Sequence, residues 1–273
     1  MSGIKFGFQT YTWQMSYEKY CGELGSLLGV IRRAGGAGVE TEMCMLGPFR
    51  AAPERLVEAL AAAELKLSAL CYCADWRGPV ETEQERADAQ EALEYILHFP
   101  GTLLSLGQMP GADRENLAER QRNALACTNA VARRAVDRGV QCVFHPNSAP
   151  GSVFRVREDY IVLLEGLDPA VVGYAADTGH IVKGGMDPLA ILREYRARLQ
   201  HVHFKDYDAA GQWAEMGEGL TDFPAIVSFL AETGYAGWIM VEDESPRAEV
   251  DPDAVTLQNG RYIAETLVPL AGG

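Results

Sequence analysis

The feature that most limits how this chain can fold is its strict alternation of short apolar runs with longer helix-forming segments. Ile4 to Gln9 alternates as a strand, and a helical stretch from Tyr17 to Ala34 follows until Gly35-Gly36 stops it. Gly38 to Met43 restarts a strand, and Pro53 opens a helix to Glu64 where its missing N–H leaves no bond unmade. Leu65 to Tyr72 reads as the third strand. The acidic helix Glu81 to Leu97 is broken by Pro100-Gly101, and Thr102 to Leu106 is the fourth strand. A long helix from Arg114 to Arg138 is expected to be capped by Asp113 and closed by Gly139. Val140 to His145 is the fifth strand, ended by Pro146, which holds His145 extended. Then come a helix from Val156 to Glu165, a strand from Val171 to Asp177 and a helix from Pro188 to Arg198. A strand from Leu199 to Phe204, a helix from Phe223 to Thr233, a strand from Trp238 to Val241 and a helix from Pro252 to Leu267 complete the chain.

Strict alternation implies parallel strands joined by right-handed crossovers, and eight such units close a barrel rather than leave an open sheet. The expected fold is therefore an α/β (β/α)8 TIM barrel, one domain over residues 1–273, since no linker, low-complexity tract or composition break divides the chain. A doubly wound nucleotide-binding sheet is disfavoured, because neither GxGxxG nor GxxxxGK[ST] follows the first strand.

A formal net charge of −14 argues against nucleic-acid or anionic-membrane partners, which need a basic surface. Met1 to Gln9 lacks the basic flank and apolar run of a signal segment, and no later run approaches the ~20 apolar residues of a membrane span, so a cytoplasmic location is expected. The six cysteines form no CxxC pair and read as reduced, mostly buried thiols. A small polyol or keto-sugar is the expected partner, and a homo-oligomer is allowed.

In such a barrel the chemistry sits at the C-terminal strand ends. Gathered there are Gln9, Tyr11 and Trp13, Glu40 and Glu42, Gln108, His145 and Asn147, Asp177 and His180, His203 and Lys205, and Glu242 and Glu244. Asp177, His203 and Glu242 end three successive strands, and buried carboxylates need partners. Two carboxylates and an imidazole suit Mn²⁺, the first expectation, or Mg²⁺, Co²⁺ or Zn²⁺. Plainer roles stand beside these. Asp177 can cap the turn after its strand, His201 lies one layer deeper than His203 as a hydrogen-bonded core histidine, and Lys205 can pair with Asp206. Glu40 can pair with a loop cation or touch substrate. Tyr11, Trp13, Trp76 and Trp213 can pack or line a sugar pocket, because aromatic faces suit the C–H faces of polyols.

Phe8-Gln9-Thr10-Tyr11-Thr12-Trp13, Asp177-Thr178-Gly179-His180, His201-Val202-His203-Phe204-Lys205-Asp206, Gly217-Glu218-Gly219 with Asp222-Phe223, and Gly234 to Trp238 leading to Val241-Glu242 form an ordered set. In these motifs the chain resembles the xylose-isomerase-like barrels, and within them most closely the inosose dehydratases. The resemblance implies that Asp177, His203 and Glu242 hold a divalent metal, with His180 beside it or orienting a ligand. It also implies removal of a proton next to a carbonyl. The isomerases and epimerases end their fifth strand in a metal-binding glutamate, a place read here as held by Val143, so that His145 becomes the expected base and Lys205 the group holding the enolate oxygen. Gln9, Tyr11, Trp13, Glu40, Asn147 and Trp213 are the expected substrate contacts.

A dehydratase acting on a keto-inositol or keto-sugar is thus the leading expectation. A sugar isomerase or epimerase, a lyase eliminating from 3-keto-glycosides and a non-catalytic sugar-binding barrel are its rivals. An apurinic endonuclease fits poorly, because Tyr207 to Trp213 carries no histidine and the surface is acidic.

Overall fold

Each barrel strand pairs in parallel with its neighbours in sequence, and the first, Lys5–Gln9, also pairs with the eighth, Trp238–Val241, so the sheet has no edge. The strands between are Gly38–Glu42, Lys66–Ala74, Leu103–Gln108, Cys142–Phe144, Val172–Asp177 and Leu199–Phe204. This computed structural model describes residues 3–272. Met1, Ser2 and Gly273, part of the N-terminal stretch and domain span read above, lie outside the described residues. No helix among the described residues is long and apolar enough to cross a membrane.

Closure divides the core in two. Helix side chains and the outward faces of the strands make the main apolar layer, including Phe8, Leu70, Tyr174 and Phe204. A small cluster of Ala69, Leu103, Val143 and Ala175 fills the barrel interior. Side chains alternate along a strand, so residues two further on from this plug point the same way, one step nearer the mouth. From Val143 that step reaches His145, and from Ala175 it reaches Asp177.

The helices begin where local chemistry favours a start. Asp187 and Asp251 each accept an N–H three residues on, and Pro188 and Pro252 follow them in the first turn. Thr82 and Glu85 form a reciprocal capping box before Glu83–Ile96. Asp113, expected to cap the long helix, does not. Its carboxylate accepts Glu115 N–H in a tight turn, and the helix Leu117–Val136 starts only after Asn116, whose φ is +53°. The expected helix from Tyr17 to Ala34 is two, Tyr17–Tyr20 and Leu24–Arg33.

Among the short elements not anticipated are the helices Tyr11–Gln14, Met43–Phe49, Thr178–Lys183 and Pro246–Val250, and a hairpin pairing Asp206–Tyr207 with Trp213–Ala214. All follow C-terminal strand ends. They are too short for periodicity to reveal them.

Candidate active site

Asp177 is the centre of the mouth. Its Oδ1 accepts the His180 N–H at 2.7 Å, capping the Thr178–Lys183 helix, while its buried Oδ2 has no hydrogen-bond partner. Around Oδ2 stand His145 Nε2 at 3.4 Å, Lys205 Nζ at 3.7 Å, His203 Nδ1 at 3.9 Å and His180 Nε2 at 4.0 Å. Burial alone would raise this carboxyl, but the surrounding cationic groups, Lys205 among them, hold it well below the usual range.

His203 Nδ1 is also 3.3 Å from Glu242 Oε2, and the donor atoms of Asp177, His203 and Glu242 all lie within 4.8 Å of one another. Atoms bound at ~2.1 Å to one cation sit roughly 3.0 to 3.4 Å apart. The orphaned Asp177 oxygen, the donor types and these separations fit a divalent ion. His145, Asp177 and His180 form a second such group sharing the same carboxylate.

Beneath this set, Glu40 lies fully buried, with Oε2 at 2.6 Å from His201 Nε2 and 2.9 Å from His203 Nε2. Cys71 Sγ donates to its other oxygen at 2.9 Å. Glu40, His201 and His203 could also be read as a ligand group. Separations this short are those of shared protons instead. Burial raises the Glu40 carboxyl, but His203 and His201 hold it well below its ordinary value; His203, which burial pushes down, is lifted by Glu40 and Glu242 to about 10. Two imidazoles and a thiol surround Glu40, which also lines the cavity where substrate contact was expected. Its role is to turn His203 so that Nδ1 faces the mouth. His201 is the hydrogen-bonded core histidine expected.

Lys205 is buried and pairs with Glu242 and Glu244, not with Asp206. Asp206 instead accepts the N–H groups of Tyr207, Gly217, Gly219 and Thr221, which pins the Gly217-Glu218-Gly219 loop. Gly217 needs φ of +88°, and a Cβ at Gly219 would lie 2.2 Å from the Asp206 carboxylate. His180 accepts or donates at 2.8 Å with Ser148 Oγ, and burial pushes it down to about 3, so it is neutral.

His145, His180, His203, Glu242 and Glu244 open onto a cavity of about 390 Å³, lined also by Gln9, Tyr11, Asn147, Trp213 and others, while Asp177 and Lys205 lie just behind its wall. Trp13 does not line it. It is fully buried and donates to Asp253 at 2.7 Å, so its expected substrate contact is corrected to packing. Val143 is likewise corrected. It lies in the interior plug, and the fifth-strand side chain at the mouth is His145. Lys183 and Ser148, which also line the cavity, escaped the sequence reading because they sit on a short helix and a loop with no motif.

Comparison with known proteins gives the family and the fold. A family model described as xylose isomerase-like TIM barrel matches residues 28–266. Inosose dehydratase of Clostridium tetani is 30% identical over 155 residues, covering 50% of this chain and 51% of that protein. Inosose dehydratase of Lacticaseibacillus casei is 32% identical over 152 residues, covering 49% and 50%. The chain thus spans about half the length of the curated relatives it matches. Among solved structures, the probable 3-DHS dehydratase AsbF of Bacillus anthracis superposes with a TM-score of 0.76 at 14% identity, over 96% of this chain and 99% of that one. The IOLI protein with a binding zinc atom does so with 0.76 at 16% identity, over 98% of each. At these identities the two structures speak for the fold alone.

Proposed function

The chain belongs to the xylose isomerase-like TIM barrel family, and from that premise we propose that it is a metal-dependent dehydratase of a keto-inositol or keto-sugar. We take residues 1–273 as one such domain, acting in the cytoplasm on a small molecule. The observation that carries this reading is the convergence of Asp177, His203 and Glu242 on one point beside the histidines His145 and His180.

A divalent cation held by Asp177, His203 and Glu242 would act as a Lewis acid toward the substrate carbonyl. His145, with 18% of its side chain open to the cavity and Nε2 beside Asp177, takes the α-proton. Lys205, kept charged by Glu242 and Glu244 against burial that pushes it down, holds the developing enolate oxygen. Glu42 lines the cavity with a carboxyl that burial pushes up, and it can give the proton that the departing hydroxyl takes. Gln9, Tyr11, Asn147 and Trp213 surround the substrate, while His180, neutral and tied to Ser148, orients Lys205 from 3.4 Å.

The half-length similarity to inosose dehydratases supports elimination of water over reprotonation. So does the fifth strand, which brings His145 to the mouth and no carboxylate. A second reading is favoured by one distance: His145 Nε2 lies 3.4 Å from Asp177 Oδ2, a spacing that also suits a fourth ligand to the same cation. Metal-loaded protein incubated with ketoses, inososes and 3-keto-glycosides in deuterated solvent tests the whole reading. Loss of water by mass is expected; a moved stereocentre with unchanged formula would make it an isomerase, and no solvent exchange at any substrate would overturn it.

A further inference from the structure

Lys183, the last residue of the helix that Asp177 caps, lines the cavity with its Nζ 4.3 Å from the centre of the Trp213 ring and 5.8 Å from that of Tyr207. Among the described residues no carboxylate pairs with it. The carboxylate whose charge acts on it is Glu244, and that group is already paired with Lys205.

A partly buried ammonium without a counter-ion loses hydration, and an anion bound beside it relieves that cost. The charges nearer the chemistry are already matched: Asp177 and Glu242 face the shared cation position, and Lys205 takes Glu244. Burial chiefly pushes the Lys183 ammonium down, with Glu244 opposing and Lys205 and Arg155 adding to it.

We propose that Lys183, resting on Trp213 in the cavity, is a subsite for an anionic group, a carboxylate or phosphate, carried by the keto-sugar or cyclitol substrate. This rests on the dehydratase reading for the identity of the rest of the substrate, and it narrows that class from neutral polyols to acidic ones. The Trp213 face supports the lysine stem and leaves the ammonium pointed at the ligand.

Two measurements test it. Acetate and inorganic phosphate are titrated into metal-loaded protein at constant ionic strength, followed by tryptophan fluorescence, with Trp213→Phe assigning the signal. Saturable binding is expected, weakened about tenfold or more in Lys183→Met and restored in Lys183→Arg. Equal binding in Lys183→Met, or none in the parent, would overturn the subsite and leave Lys183 a lysine lying on an aromatic face. Matched pairs of neutral, carboxylated and phosphorylated keto-substrates are then compared by kcat/KM. Charged substrates should lead by about tenfold or more in the parent and lose that lead in Lys183→Met, with the better of the two naming the anion. A neutral substrate turned over as well as its charged partner would also overturn the proposal. Lys183-dependent anion binding with no turnover of any substrate would instead count against the dehydratase reading while the subsite stood.

Discussion

Glu40 Oε2 and His203 Nε2 lie 2.9 Å apart in the floor of the barrel, so His203 presents its other nitrogen, Nδ1, to Asp177 and Glu242. A buried carboxylate thus sets the orientation of an imidazole whose working atom is on the far side of the ring. Carboxylate–histidine pairs of this kind tune affinity at metal centres.

Replacing Glu40 by Gln should therefore weaken metal binding by about 10- to 100-fold without touching a direct ligand. It should also cost stability, on the order of 3 kcal/mol, because His201 and His203 lose a buried partner. Calorimetric metal titration and denaturant unfolding of the same sample check the two effects. A fully retained affinity would show that Glu40 only fills space.

The same pair predicts a pH dependence in metal-free protein. His203 is raised from 6.5 to about 10 in the fold, so its contribution to stability is complete below about 6.5 and is lost as pH rises toward 10. Thermal melts of chelator-treated protein should show the midpoint falling across that window. Glu40→Gln removes the main lifting charge, and its profile should be flatter.

Asp177 has two duties that can be separated. Asp177→Asn keeps an oxygen able to accept the His180 N–H, so the helix cap survives, but it removes the anionic Oδ2. Metal content by elemental analysis should fall steeply while circular dichroism is unchanged. Asp177→Ala should lose the metal and also about 1 kcal/mol of stability from the cap. Unchanged metal in Asp177→Asn and in Glu242→Ala would remove the site.

His145→Ala separates base from ligand. As a general base, its loss lowers turnover and solvent exchange of the α-proton by roughly 10²- to 10⁴-fold with metal retained. Loss of metal in the same variant would assign His145 to the cation instead. Near-normal turnover would send the search for the base to His180 or Lys205.

Much of this molecule is determined by its sequence alone. The period-two apolar runs and the intervening helical segments dictate a parallel barrel, because local patterning and chain connectivity allow few other closed arrangements. The positions after those runs put Asp177, His203 and Glu242 at one end, since strand direction is common to all eight. Depth and partner choice were decided only by the closed barrel. Val143 and His145 share a face, and which of them reaches the mouth depends on register against Ser105 and Gly173, which no local pattern states. Glu40 and Trp13 carry residue types that suit a sugar pocket. Glu40 was claimed by His201, 161 residues away, and Trp13 by Asp253, 240 residues away, through contacts that exist only after closure. Lys183 shows the converse. It carries no motif in the sequence and becomes notable only because folding leaves it in the cavity without a counter-ion.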